Sequence, residues 1–298
     1  MPEPINITFL GTGAAIPSLS RRHSAIIMQY GGDYLLFDCG EGTQLQMIKA
    51  RVSPVRISKI FITHWHADHF AGLLPLIETL HLSRRKEPLE IFGPEASFFI
   101  DAITELSYWG IGFKIDAIDC GEKDLEKLVE TDTYEIYSIK VKHTVPAVGY
   151  MIKEKEHWHI DVSLANKFGL KGKQLTTIKE KGSIKIGNKV IKLAQIAKKK
   201  EGRKIVYSGD TLAFEKFFQI AENADILIHD GTFIEPEESR GHSSVQEVAK
   251  LAKKYKIKKL ILTHFSRRYK KGKEIIDAVK PIFENVTIAE DLMKITLR

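Results

Sequence analysis

The run Thr63-His64-Trp65-His66-Ala67-Asp68-His69 constrains this chain more than any other segment. Four metal-competent side chains crowd into six positions. They follow a buried-looking run, Ile57–Thr63, and precede an apolar stretch at helical spacing, Phe70–Leu82. A core cannot take up so many imidazoles and a carboxylate without a cation to neutralise and ligate them. Alternation along an extended backbone lets His64 and His66 project the same way. The turn after the strand then carries Asp68 and His69 to a second position.

One metal ion would use only some of these groups, so further ligands are expected. Three residues sit at the carboxyl end of an expected strand, where open α/β sheets place their sites. His143 follows Ile139 and Val141 on one alternating face. Asp210 closes Lys204–Tyr207 through Ser208-Gly209. His264 follows Leu260–Thr263. His64, His66, Asp68, His69, His143, Asp210 and His264 together suit two metal ions sharing one carboxylate, with about 3.5–4 Å between ions. Neutral imidazole and carboxylate take zinc, and also manganese or iron.

The rest of the chain reads as alternating strands and helices in two stretches: Ile5–Leu10, Tyr34–Phe37, Leu89–Phe92 and a helix around Ala96–Leu106 in the first, and Ala224–His229 with a helix over Val245–Tyr255 in the second. Only turn residues are expected between Ile5–Leu10 and Tyr34–Phe37. Ser244 and Glu247 stand at capping-box spacing for the later helix. Between them, Ile152–Lys200 loses the rhythm, with Gly169, Gly172, Gly182 and Gly187 among many lysines. It reads as an inserted arm over 153–200, without an independent core, on a single domain spanning 1–298. Residues 153–204 carry 15 Lys/Arg against 5 Asp/Glu, a balance of +10 in a chain of net charge +7, which leaves −3 elsewhere. Such a patch fits a polyanion partner or a solvated lysine-rich surface. Gly11-Thr12-Gly13 lacks the remaining glycine and lysine of a nucleotide loop.

Two cysteines, Cys39 and Cys120, exclude a disulfide framework and a four-cysteine zinc site. Met1–Leu10 lacks the basic and apolar regions of a signal peptide. No apolar stretch nears the roughly 18 residues of a membrane span. The expectation is a soluble cytoplasmic protein without a membrane partner.

The histidine run with the later His, Asp and His resembles the metallo-β-lactamase superfamily. Within it, Asp38-Cys39-Gly40-Glu41-Gly42-Thr43-Gln44 and His264-Phe265-Ser266-Arg267-Arg268-Tyr269 are similar to signatures of the short-form ribonuclease Z family, as are Phe9–Gly13, Pro88–Pro94 and His143-Thr144-Val145-Pro146. The resemblance implies a four-layer αββα sandwich with a projecting basic arm. It implies two zinc ions, one held by His64, His66 and His143, the other by Asp68, His69 and His264, with Asp210 bridging. It implies an endonuclease that removes the 3′ trailer of precursor tRNA, leaving a 3′-hydroxyl on the tRNA and a 5′-phosphate on the trailer, and a homodimer. Asp68 would orient or deprotonate the attacking water, and Asp38 would support the metal loop. His242, in a segment similar to the family's His-Ser-Thr, would donate the leaving group's proton. Asp230 stands where the family commonly has glutamate, one methylene longer, which leaves its reach toward His242 open. The family's arm often has a Gly-Pro-rich tip; here the stretch Phe168–Leu175 has no proline, and Lys171 and Lys173 are the candidate RNA contacts. His157, Trp158 and His159 read as a packing cluster of the arm or as a stacking platform for RNA. The competing readings are a hydrolase of small phosphodiesters or other esters, and an RNA-binding module with a dead site.

Overall fold

The structure is a computed structural model of the 298-residue chain, describing residues 3–16, 18–108, 110–187, 189–235, 241–269 and 272–298. Strands β1 (Ile5–Gly11), β2 (Ala25–Tyr30), β3 (Asp33–Phe37), β4 (Ile57–Phe61), β5 (Leu89–Gly93) and β6 (Ile115–Asp119) build one sheet. Strand β18 (Lys294–Leu297) closes it, in the order β18-β1-β2-β3-β4-β5-β6. The second sheet takes β7 (Leu125–Glu130), β8 (Tyr134–Lys140), β9 (Val148–Glu154), β14 (Lys204–Tyr207), β15 (Ile226–Asp230), β16 (Leu260–Thr263) and β17 (Val286–Ile288), in the order β17-β16-β15-β14-β9-β8-β7. Each sheet has a parallel half, β3–β6 or β14–β17, beside an antiparallel half.

Period-two alternation decides which side chains meet across the sandwich. Phe37, Phe61 and Phe92 of the first sheet face Tyr150 and Tyr207 of the second. Their neighbours Leu36, Ile60 and Ile91 point outward, under helices α1 (Thr43–Ala50), α3 (Leu73–Leu82) and α4 (Ala96–Glu105). On the far side, Val206, Leu227 and Leu260 lie under α7 (Glu215–Ala221), α8 (Val245–Lys254) and α9 (Lys273–Val279). This is the expected αββα order of layers. Half of the expected capping box at α8 is formed: the Glu247 backbone N–H donates to Ser244 Oγ (3.3 Å), but the Glu247 carboxylate accepts from the Ser244 hydroxyl (2.9 Å) and not from its backbone N–H.

Three expectations need correction. A full strand, β2, lies between β1 and β3 where turns alone were expected. The helix over Phe70–Leu82 is two pieces, α2 (Ala67–Phe70) and α3, broken because Gly72 packs on the loop that follows β3. A Cβ there would lie 2.3 Å from the Gly40 carbonyl oxygen. The segment after β9 also has a core of its own. It contains β10 (His157–Ile160), α5 (Val162–Lys167), α6 (Lys173–Lys181), β11 (Ser183–Ile186), β12 (Lys189–Lys192) and β13 (Ala197–Lys200), in neither large sheet. Ala165, Leu170, Ile178, Ile191, Leu193, Ile196 and Ala197 are buried together, with Trp158 and Ile160 packed against them. Lysines fill the exposed strand positions around this cluster and hide its pattern.

Phe61 stacks on both Phe37 and Phe92 (4.9 Å each) and meets Tyr150 edge-on (5.3 Å), just before the chain reaches the histidine run. Phe61→Ala is expected to cost about 3–5 kcal/mol of stability in denaturant titration. A loss under about 1 kcal/mol would mean that the layer between the sheets collapses around the gap.

Candidate metal centre

The loops that carry the expected ligands all leave strand ends at one rim of the sandwich. Beyond β4 the chain stays extended, with the Ile62 N–H donating to Phe92 O (2.8 Å). The Val148 N–H then donates to Thr63 O (2.9 Å), joining the two sheets beneath the site. His66 opens α2, which brings Asp68 and His69 round by one turn. His143 lies three residues past β8, on the loop rather than on the strand. Asp210 and His264 follow β14 and β16.

All seven expected ligands converge. His64, His66 and His143 form one group; His66 Nδ1 lies 3.0 Å from His64 Nε2 and 3.2 Å from His143 Nε2. Asp68, His69, Asp210 and His264 form a second. His264 Nε2 is 3.2 Å from both Asp68 Oδ2 and Asp210 Oδ2, and His69 Nε2 is 3.4 Å from Asp210 Oδ1. Asp210 also approaches the first group, 3.8 Å from His64 Nε2, so its carboxylate stands between the two.

The far ring nitrogens are held in place, which aims the near ones inward. The His69 Nδ1–H donates to Asp38 Oδ2 (2.8 Å), and the His143 Nδ1–H to Gly241 O (2.8 Å). Gly241 is at φ 68°, and a Cβ there would sit 2.9 Å from that imidazole, so glycine is required. His264 Nδ1 lies 2.9 Å from Thr232 Oγ1. Asp38 is fully buried and also accepts from the Thr63 N–H (2.8 Å) and from the Tyr207 hydroxyl (2.6 Å). The supporting roles of Tyr207, Thr232 and Gly241 left no mark in the sequence pattern; Thr63 was visible only as the first residue of the run.

Burial, with His69 beside it, drives His64 well below its ordinary pKa and keeps it a neutral donor. Burial opposes the ionisation of Asp68 and Asp210, but His69 and His264 hold both carboxyls well below the usual range. His69 Nε2 and Asp210 Oδ1 are buried with no hydrogen-bond partner. Orphaned atoms of this kind are rare in a folded interior. With five imidazoles and two carboxylates in the cluster, the donor set fits divalent cations.

His242 and Asp230 adjoin the second group. The His242 ring stacks on His264 (5.3 Å), and its Nδ1–H donates to Asp230 Oδ2 (2.9 Å). The shorter carboxylate therefore reaches the imidazole. Asp230 is fully buried, steadied by the Thr232 N–H (2.8 Å) and hydroxyl (2.6 Å). Burial lowers the His242 pKa, but the hydrogen bond to Asp230 and the charges of Asp230 and Asp210 outweigh it and raise it to about 9. A cleft of about 580 Å³ opens above, lined by His66, His143, Phe233, His242, His264 and Arg267. Lys171 and Lys173 are not part of this constellation; they are exposed in the inserted segment, at and just before the start of α6.

A family model described as beta-lactamase superfamily domain matches residues 113–265, and one described as anti-Pycsar protein Apyc1 matches residues 5–100. Among curated relatives, Ribonuclease Z of Methanosarcina mazei is 37% identical over 98% of this chain and 97% of its own length. Ribonuclease Z of Thermococcus onnurineus is 41% identical over 89% of this chain and 86% of its own. The crystal structure of human tRNase Z, short form, aligns with a TM-score of 0.70 at 30% identity, covering 97% of this chain and 98% of that one.

If Asp210 joins two ions, the protein as isolated should contain two divalent ions per chain by elemental analysis, and Asp210→Ala should lose metal from both positions. One ion or none in fully active protein would overturn the dinuclear arrangement.

Proposed function

The chain belongs to the ribonuclease Z family of the beta-lactamase superfamily, and from that premise we propose that it is a zinc-dependent endoribonuclease removing the 3′ trailer of precursor tRNA. The observation that carries this reading is the whole-length likeness to proteins named Ribonuclease Z, in a chain whose seven metal-competent side chains meet in one cluster.

In this reading His64, His66 and His143 would hold one ion, Asp68, His69 and His264 the other, and Asp210 would serve both. Two such ions supply positive charge beside a phosphodiester and make a bound water more acidic. The protein's own groups do the rest. Asp68, kept ionised by its imidazole neighbours, accepts a hydrogen bond from the attacking water and aims it at phosphorus. His242, protonated at neutral pH because Asp230 supports its charge, gives a proton to the departing 3′-oxygen. The products are a 3′-hydroxyl on the tRNA and a 5′-phosphate on the trailer. Asp38 holds His69 in the tautomer that leaves Nε2 free. The lysine-rich insert, with Lys171 and Lys173, grips phosphates away from the metal centre.

A homodimer fits the helical face of the first sheet. Leu45 and Ile48 of α1, Leu82 of α3 and Phe98 of α4 are all exposed there, an apolar surface that a second copy would cover. No described helix is long and apolar enough to cross a membrane, and a cytoplasmic setting suits a tRNA precursor.

The direct test is cleavage of a trailer-bearing tRNA precursor with mapping of both ends. Hydrolysis of small phosphodiesters alone would favour the simpler hydrolase. His242→Ala should keep its metals but lower the single-turnover rate about 10²–10⁴-fold. The acid works only while protonated, so the rate should fall as pH rises through its pKa. Asp230→Asn removes the support that raises this pKa and should move that alkaline limb to lower pH; an unmoved limb assigns it to another group. Deleting residues 160–195, whose described residues share no core with the body, should spare a small phosphodiester and depress kcat/KM on precursor tRNA. The salt slope of RNA binding should shrink by about 0.7–0.9 per lost phosphate contact. Unchanged tRNA cleavage and salt slope would remove the insert from substrate binding.

A further inference from the structure

The insert is fastened to the body in an unusually narrow place. Its hydrophobic cluster is drawn entirely from residues 158–197. A groove of about 930 Å³ separates it from the body, with Tyr30 and Thr133 on one side and Trp158, Val162 and Leu175 on the other. Among the described residues, the hydrogen bonds from 155–202 to the body come from Lys155, whose N–H donates to Thr133 O (2.8 Å) and whose ammonium donates to Glu130 (2.9 Å). The remaining attachment is at the two roots, Glu154 and Arg203.

These roots are locked to each other and to both sheets. Arg203 Nε and Nη2 donate to the two carboxylate oxygens of Glu154 (2.9 and 2.7 Å). The backbone adds two more: the Arg203 N–H donates to the Glu154 carboxylate at Oε2 (3.0 Å), and the Glu154 N–H donates to Arg203 O (2.9 Å). Beyond the pair, Arg203 Nη1 donates to Leu297 O of β18 and Nη2 to Glu3 O (2.7 Å each). The Tyr30 hydroxyl, at the end of β2, donates to Glu154 Oε1, and the guanidinium lies 5.5 Å from the Tyr30 ring. Gly202 permits the close approach, since a Cβ there would fall 1.8 Å from Glu154 O. Arg203, Glu154 and Tyr30 are all buried. The planar fork of arginine satisfies these four acceptor atoms together; the point charge of lysine cannot.

We propose that Arg203, held by Glu154 and Tyr30, is a positioning residue: it sets the angle at which the insert leaves the body, and so where RNA held by the insert meets the metal centre. This rests on the reading of the insert as an RNA grip. Arg203 touches neither the substrate nor the metal ligands. Its effect falls on a substrate long enough to span both regions, and a small phosphodiester does not sense it.

The test uses the full chain with its metals bound, comparing wild type, Arg203→Lys and Tyr30→Phe. For Arg203→Lys, kcat/KM on precursor tRNA should fall about 10²-fold, the scale of a misplacement remote from the chemistry. The rate on bis(p-nitrophenyl) phosphate and the metal content should hold. Amide hydrogen exchange should rise across Trp158–Ala197 and stay unchanged in β14, β15 and β16. Tyr30→Phe should give the same pattern to a smaller extent, and it decides the matter if Arg203→Lys fails to fold. A parallel fall on both substrates reduces Arg203 to a structural part and overturns the proposal. So does wild-type tRNA cleavage with unchanged exchange in the insert. Wild-type protein that leaves precursor tRNA intact overturns the functional reading instead; an unchanged exchange pattern would then still refute Arg203 as the fastening.

Discussion

The Asp38 carboxylate is the constraint around which the site is arranged. It is fully buried, and a charge in that position is tolerable only if every lone pair is used. Hydrogen bonds arrive from Thr63 after β4, from His69 on α2 and from Tyr207 at the end of β14. The last crosses from one sheet to the other. A single acceptor thereby fixes the spacing of the sheets at the rim, the start of the histidine run and the orientation of one imidazole. Asp38 itself sits at φ 56°, a left-handed conformation that non-glycine residues rarely adopt and that the surrounding bonds over-determine.

Electrostatics in the cluster follow from that placement. With Nδ1 of His69 committed to Asp38, Nε2 faces Asp68 and Asp210. The burial of Asp68, Asp210 and Asp230 among imidazoles is mutually compensating: each carboxylate stays ionised because a neighbouring ring favours its charge. Asp230 and His242 extend the same rule one step outward: the buried carboxylate and the imidazole each favour the other's charge.

The sequence shows the site more plainly than the frame that carries it. Ligand chemistry is local: His64 to His69 announce themselves by density, and His143, Asp210 and His264 by the strands before them. No alternation marks strand β2, because Ile26, Ile27 and Met28 are buried on both faces. The break between α2 and α3 depends on a carbonyl at Gly40, distant in sequence and invisible to helical periodicity. The core of the insert was obscured because short strands alternate a few apolar residues with lysine. The reach of Asp230 toward His242 could not be read from side-chain length, since the backbone at the end of β15 sets it.

Among the described residues, the hydrophobic cluster of the insert is separate from those of the sandwich, and this separation bears on how such proteins diversify. Changes inside the insert meet only its own small core, and changes in the sandwich meet only theirs, so substitutions in the two are expected to combine almost independently. A lineage can therefore alter the exposed surface of the insert while leaving the metal-competent cluster of the sandwich untouched. The roots, where a few residues answer to both parts, are where such drift would be held in check.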